Sequence, residues 1–181
     1  MKSKILAALA AFLVVSACGK GSEDAPSAAD VSAADASAEL AALFEEHYER
    51  YLELNPLSAT SIGDDRYNDR LAVSLSPGYR DATRQLDEEF LSRLIRIDDS
   101  ALDYQDQLSY DMFKRLRELS LEGDLYPSHL QPINQFYLMT NTFVRLGSGA
   151  SVHTFETVKD YDDFLSRTDD FVANVDHAIE N

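Results

Sequence analysis

Apolar side chains recur at steps of three and four residues along most of the chain beyond residue 38. This spacing places them on one face of an α-helix, because a helix turns about once every 3.6 residues. The first such stripe consists of Leu40, Leu43, Phe44, His47, Tyr48, Tyr51 and Leu52. No run alternates between apolar and polar residues as a half-buried strand does. The pattern therefore predicts an all-α fold.

Capping and breaking residues divide this pattern into helices. Ser37 is the expected N-cap of the first helix, and Asn55-Pro56 ends it, because the residue before a proline avoids the helical region. Further helices are predicted over residues 57–62 with Gly63 as the stop, from Ser76-Pro77 to Ile97, from Tyr104 to Leu121, around Gln135 to Leu146, and from Thr157 onward.

The same spacing predicts which side of each helix faces the core. Tyr79, Thr83, Leu86, Phe90, Leu94 and Ile97 form one inward stripe, and Leu108, Met112, Leu116 and Leu119 form the next. In the last helix the inward set is Tyr161, Phe164, Leu165, Thr168, Phe171 or Val172, Val175 and Ile179. The paired aspartates Asp162-Asp163 and Asp169-Asp170 are predicted to lie on its solvent side.

The N-terminus has the three parts of a secretory signal over residues 1–17. Lys2 and Lys4 precede an apolar run, and small residues precede Cys18. As a helix the run would span about 16 Å, too short to cross a bilayer core of about 30 Å. Val15-Ser16-Ala17-Cys18 resembles the bacterial lipobox. The resemblance implies cleavage between Ala17 and Cys18 and acylation of Cys18 with chains such as palmitate. The alternative is an ordinary secreted protein with a cysteine at the cut.

Residues 18–37 form the predicted tether. They are almost all Gly, Ser, Ala, Asp and Glu, which offer too little apolar surface to fold, so a flexible linker is expected. The net charge of −16 disfavours nucleic acid and anionic lipid head groups as partners. The lipid, rather than a basic patch, is therefore expected to hold residues 38–181, the helical domain, at the membrane.

The residues supply no constellation that could carry out catalysis or hold a metal. A helical zinc motif needs two histidines four residues apart, and His47, His129, His153 and His177 are not so spaced. The acidic loop 64–69 lacks the alternating ligands and central glycine of a calcium loop. We therefore predict no catalytic residue and no metal ligand in this chain.

Two stretches resemble the bacterial family called domain of unknown function 885. The first runs from Phe44 through Asn55-Pro56 and Ala59-Thr60 to Gly63. The second contains Phe155-x-Thr157, Asp160-Tyr161 and Leu165-x-Arg167. The resemblance implies the N-terminal portion of a larger, mostly helical envelope lipoprotein. It further implies a zinc-dependent peptidase whose metal motif lies outside this chain, with zinc expected only in a full-length member.

Two hypotheses follow. In the first, the chain is the N-terminal part of a zinc peptidase of the cell envelope, acting on peptide substrates, and its last helix is cut short at Asn181. Gly19, rather than an aspartate, follows the cysteine, which resembles lipoproteins sent to the outer membrane where two membranes exist. In the second, the chain is a complete, non-enzymatic helical lipoprotein that acts as a binding or scaffold module.

Overall fold

The computed structural model describes residues 28–133 and 138–181. These residues form six α-helices, with no strand among them, so the all-α prediction is confirmed. The helices are α1 (Ala28–Leu54), α2 (Pro56–Ser61), α3 (Pro77–Leu94), α4 (Tyr104–Gly123), α5 (Met139–Gly147) and α6 (Val158–Glu180). Short 3-10 turns lie at Asp65–Tyr67, Asp99–Ala101 and Ser128–Leu130. None of the described helices combines the length and apolar character that a membrane span requires.

Helix α1 begins earlier than the sequence pattern predicts. Residues 28–37, assigned above to the flexible linker, are helical, and Ser37 lies inside the helix rather than at its N-cap. The segment is rich in alanine, the residue with the highest helix propensity, so it can extend a helix without apolar periodicity. Ala36 is buried in the core, and its burial stabilises this extension of the helix.

Local signals set the ends of α2, α3 and α6 as predicted. Gly63, with φ of +81°, adopts the left-handed conformation that ends the short helix α2. Ser76 Oγ accepts a hydrogen bond of 3.1 Å from the Tyr79 amide and caps α3. Thr157 and Asp160 form a reciprocal capping box at the start of α6.

The main core lies between α1, α3 and α4. Leu40 and Leu43 of α1 pack with Phe90 and Leu94 of α3, and Tyr110 of α4 closes the cluster. Phe90 and Leu94 have no exposed surface, so the stripe predicted for α3 is confirmed where it meets α1. This three-helix core holds the first half of the described chain together.

The prediction for α4 is wrong about which face is inward. The predicted residues Leu108, Met112, Leu116 and Leu119 are all exposed, at 44% to 58% of their surface. Tyr110 is buried, Phe113 packs against the core, and Arg117 is mostly covered. Helix α4 carries apolar residues on two faces, so its period alone could not decide between them.

Helix α6 also departs from the predicted face. Tyr161, Leu165, Val172 and Ile179 are exposed, whereas Asp163, Arg167 and Asn174 are buried. Asp163 was predicted to face solvent, as was Asp170, whose carboxylate accepts a hydrogen bond of 2.8 Å from the Leu71 amide. Asn174 donates to the Ala72 carbonyl at 2.8 Å. The side of α6 toward the segment before α3 is polar because it hydrogen-bonds that backbone, whereas the predicted residues Phe164 and Phe171 are partly buried against α5.

Helix α5 is held to α6 by stacked aromatic rings. The Phe143 ring lies 4.2 Å from the Phe171 ring and 5.0 Å from the Phe164 ring, centroid to centroid. At Gly149, where φ is +67°, a Cβ would lie 2.7 Å from the Phe155 ring, so the turn after α5 requires glycine. This turn brings His153 beneath α6.

Candidate functional site

The predicted processing site lies outside the described residues. Ala17 and Cys18, and the tether up to residue 27, precede the first residue that the structure describes. Cleavage and acylation there stay predictions. The four histidines and the acidic loop all lie in described parts of the chain.

The most deeply buried polar group is Arg167, with no exposed surface. Its guanidinium donates hydrogen bonds to Thr60 Oγ1 at 2.6 Å, to His153 Nδ1 at 3.1 Å and to the Arg70 carbonyl at 3.1 Å. Asn68 Oδ1 lies 3.4 Å from the same group and accepts from Thr60 at 2.7 Å. We call Thr60, Asn68, His153 and Arg167 the Arg167 joint, because they connect α2 and the acidic loop to α6.

The hydrogen bonds fix the state of His153. A guanidinium can only donate, so Nδ1 of His153 accepts the bond from Arg167. Nε2 then carries the proton and donates to the Asp160 carbonyl at 2.8 Å. Both ring nitrogens of this buried, neutral imidazole are engaged. His153 therefore has no lone pair free for a metal ion.

Burial sets the electrostatics of the joint. Desolvation lowers the pKa of Arg167 from its usual value, and the negative charges of Asp163 and Asp69 oppose that shift. Four acceptors around the guanidinium compensate for its removal from water. An arginine held in this way is a structural connection between distant parts of the chain.

His47 forms a second buried pair with an arginine. Arg117 donates to His47 Nε2 and forms an ion pair of 3.2 Å with Asp87, so α1, α3 and α4 meet at one guanidinium. Burial, together with the positive charges of Arg117 and Arg50, lowers the pKa of His47 to about 4. Burial also raises the pKa of Asp87.

The described residues do not fit a zinc site. Within residues 28–133 and 138–181, no group of three His, Cys, Asp or Glu side chains could hold a metal ion. The two buried histidines each accept from a guanidinium, whose positive charge repels a cation. The buried histidines are thus unsuited to binding zinc, because their nitrogens are already hydrogen-bonded to positively charged groups.

The other singled-out groups have structural partners. His177 forms a surface pair of 3.4 Å with Glu180 on its own helix. In the acidic loop, Asp64 accepts from the Arg66 side chain at 2.6 Å. Arg66 also contacts Glu49 at 2.7 Å. The loop is therefore tied to α1 by arginine.

Two apolar stripes lie on the outside of the described structure. The α4 stripe is Leu108, Met112, Leu116 and Leu119, and the α6 stripe is Tyr161, Leu165, Val172 and Ile179. The exposed fractions reach 64% for Leu165 and 79% for Ile179. Scattered apolar residues are normal on a protein surface, but exposed apolar residues aligned on one face of each of two long helices are candidates for contact surfaces.

A pocket of about 140 Å³ lies between α2, α5 and the segment after α5. Its walls are formed by Leu57, Ser61, Thr142, Arg145, Leu146, Ser151 and Val152. A second pocket of about 200 Å³ shares Leu57, Thr142 and Leu146 and continues toward Phe171. Sequence reasoning missed this site, because its residues come from separate segments without a common motif.

Sequence reasoning named Thr60 and Arg167 only as parts of the two stretches that carry the family resemblance. The structure joins these stretches directly, by the 2.6 Å bond between the two side chains. Comparison with curated proteins and with solved structures finds no match. The family model described as "Bacterial protein of unknown function (DUF885)" matches residues 56–181, which include both members of the bond. The chain therefore belongs to the DUF885 family.

Proposed function

We propose that the chain is the N-terminal, non-catalytic part of a zinc-dependent peptidase held in the bacterial cell envelope by a lipid on Cys18. Family membership supports the first half of this proposal through the activity that the resemblance implies. The signal-like N-terminus and the lipobox-like sequence before Cys18 support the second half.

The lipid anchor suits the charge of the chain. With a net charge of −16, the protein is repelled by anionic head groups and gains nothing from electrostatic attraction to a membrane. One acyl chain binds a bilayer only marginally, at roughly 10⁴ M⁻¹, so the two or three chains implied at Cys18 provide stable attachment. In an organism with two membranes, the outer membrane is the expected location.

The observation that carries the proposal is the exposure of the α4 and α6 stripes. Burying a leucine completely contributes roughly 1.5–3 kcal/mol, and the eight stripe residues leave much of that contribution unrealised. We propose that helices bearing the metal motif of the full-length protein cover these stripes. The described helices then form a wall of the peptide-binding cleft.

The contacts of the histidines suggest which part of the full-length protein would supply the metal ligands. His47 and His153 each accept from an arginine, and no group of three possible ligands is found among the described residues, so we propose that the metal ligands come from elsewhere in the full-length protein. The Arg167 joint and the Arg117 pair then serve to fix the relative positions of helices that support the catalytic part. No step of hydrolysis is assigned to residues of this chain.

The proposal is tested by comparing this chain with the product of its complete reading frame. We expect residues 1–181 to bind no stoichiometric zinc and to hydrolyse no peptide. The complete product should do both, and a chelator should abolish its hydrolysis. Hydrolysis by residues 1–181 alone would contradict the proposal. A complete product without zinc and without hydrolysis would favour the alternative, a binding or scaffold module that uses the same two stripes.

A further inference from the structure

We infer that the pocket between α2, α5 and the segment after α5 binds a small aliphatic carboxylate, such as the C-terminal residue of a peptide. The peptide assignment rests on the proposed function. The binding of a carboxylate rests only on the pocket itself.

The size and walls of the pocket set the apolar part of the ligand. An apolar cavity of about 150 Å³ holds a molecule such as benzene, and this pocket has a volume of about 140 Å³. Leu57, Leu146 and Val152 contribute aliphatic walls. A branched side chain the size of that of valine therefore fits.

An unsatisfied hydroxyl indicates where a polar atom of the ligand belongs. Ser151 Oγ is buried and has no hydrogen-bond partner, although Ser151 lines the pocket. Buried polar atoms nearly always have partners, because an orphaned group costs about 1–3 kcal/mol. If the Ser151 side chain rotates toward the pocket, a carboxylate oxygen there accepts a hydrogen bond from this hydroxyl.

Arg145 supplies the charge that selects a carboxylate. It lines the pocket and forms no ion pair with any carboxylate of the described residues, in a protein where acidic groups outnumber basic ones by 32 to 16. An arginine and a hydroxyl are suitable donors for a carboxylate. Ser61 does not compete for this role, because its hydroxyl donates to the Leu57 carbonyl at 2.7 Å.

Two ligands distinguish the possible sources of the carboxylate. The full chain, purified in mild detergent, is titrated by calorimetry with 3-methylbutanoate and with N-acetyl-alanyl-valine, each beside its uncharged amide. We expect both acids to bind with a dissociation constant of about 1 mM or below, and both amides to bind at least tenfold more weakly.

Variants assign the binding to the pocket. Arg145→Gln and Ser151→Ala should each weaken binding of both acids about tenfold or more, since each removes a hydrogen bond to a charged group. Arg96→Gln is the matched control, because Arg96 is another exposed arginine without an ion pair among the described residues, and it lies away from α5. Thermal unfolding of each variant checks that the fold is intact.

Absence of binding at about 10 mM, equal binding of acids and amides, or wild-type binding by both pocket variants would overturn the inference. Binding of 3-methylbutanoate alone would overturn the assignment to a peptide terminus. None of these results bears on zinc or hydrolysis in the complete product. Failure of this inference is therefore distinguishable from failure of the proposed function.

Discussion

The guanidinium of Arg167 donates a hydrogen bond of 2.6 Å to Thr60 Oγ1, across 107 residues of chain. Both side chains are buried, and the bond joins the short helix α2 to the middle of α6. The two stretches that resemble the DUF885 family thus meet at one contact. Residues from the two stretches that carry the family resemblance therefore hold α2 and α6 of this chain together.

Arg167→Met is expected to lower the free energy of unfolding by about 3 kcal/mol. The change retains much of the side-chain volume but removes the donor to Thr60 Oγ1, His153 Nδ1 and the Arg70 carbonyl in a buried site. Urea denaturation measures the loss. Arg96→Met, at an exposed arginine, should change stability by less than about 0.5 kcal/mol. If both variants lose the same free energy of unfolding, the hydrogen bonds of the Arg167 joint do not stabilise the fold.

His47 is expected to make the protein less stable as the pH falls. Its pKa is about 4 in the folded protein and 6.5 when unperturbed, so between these values the unfolded chain binds the proton more readily. The free energy of unfolding should therefore decrease as the pH drops through this window. From pH 7 to pH 5 the contribution of His47 is up to about 2 kcal/mol.

His47→Gln tests this pH dependence. Glutamine does not titrate, and its carbonyl oxygen can still accept from Arg117. The stability difference between pH 7 and pH 5, measured by urea denaturation, should shrink relative to the unsubstituted protein. Asp87, which forms an ion pair with Arg117, titrates in both proteins. Its contribution therefore largely cancels when the two pH dependences are compared. An unaltered pH dependence in His47→Gln would refute the assignment.

Met112→Lys and Phe113→Ala separate the two faces of α4. Met112 is 58% exposed, so lysine there should change the stability of the 181-residue chain by less than about 0.5 kcal/mol. We also expect the exposed α4 stripe to cause self-association of this chain, which the lysine should reduce. Phe113 packs on Phe44 with ring centroids 4.9 Å apart, and its truncation should cost about 3 kcal/mol. Urea denaturation measures the stability of both variants, and analytical ultracentrifugation measures self-association. Comparable destabilisation by both changes would mean that α4 presents a different face to the core.

Cys18→Ser is expected to release the protein from the membrane. The serine variant cannot carry a thioether-linked diacylglycerol, and no other cysteine is present in the chain. Incorporation of labelled palmitate and partitioning into detergent should both be lost, while the helical content of the domain stays the same. Labelled palmitate in the serine variant would contradict acylation at Cys18.

Local signals made much of this fold predictable. Proline, glycine and capping hydroxyls act within a few residues, so Ser76, Gly63 and Thr157 marked helix ends that the structure confirms. The stripe through Leu86 and Phe90 was also predicted correctly, because only one face of α3 is strongly apolar.

The faces of α4 and α6 could not be predicted from periodicity. In α4 the exposed stripe through Met112 is as apolar as the buried side, so the pattern is ambiguous. In α6 the buried residues are Asp163, Arg167 and Asn174, which a hydrophobic criterion assigns to solvent. Arg167 and Asn174 have partners about 100 residues away, as in the 2.8 Å bond from Asn174 to the Ala72 carbonyl. Only the family resemblance singled out Arg167.

The most direct test of the central claim is to determine the coding DNA that follows codon 181. The account predicts a reading frame that continues for several hundred codons and encodes a histidine- and glutamate-containing metal motif on a helix. The encoded helices would then be available to cover the α4 and α6 stripes. A stop codon directly after Asn181 would contradict the claim that this chain is the N-terminal part of a zinc peptidase.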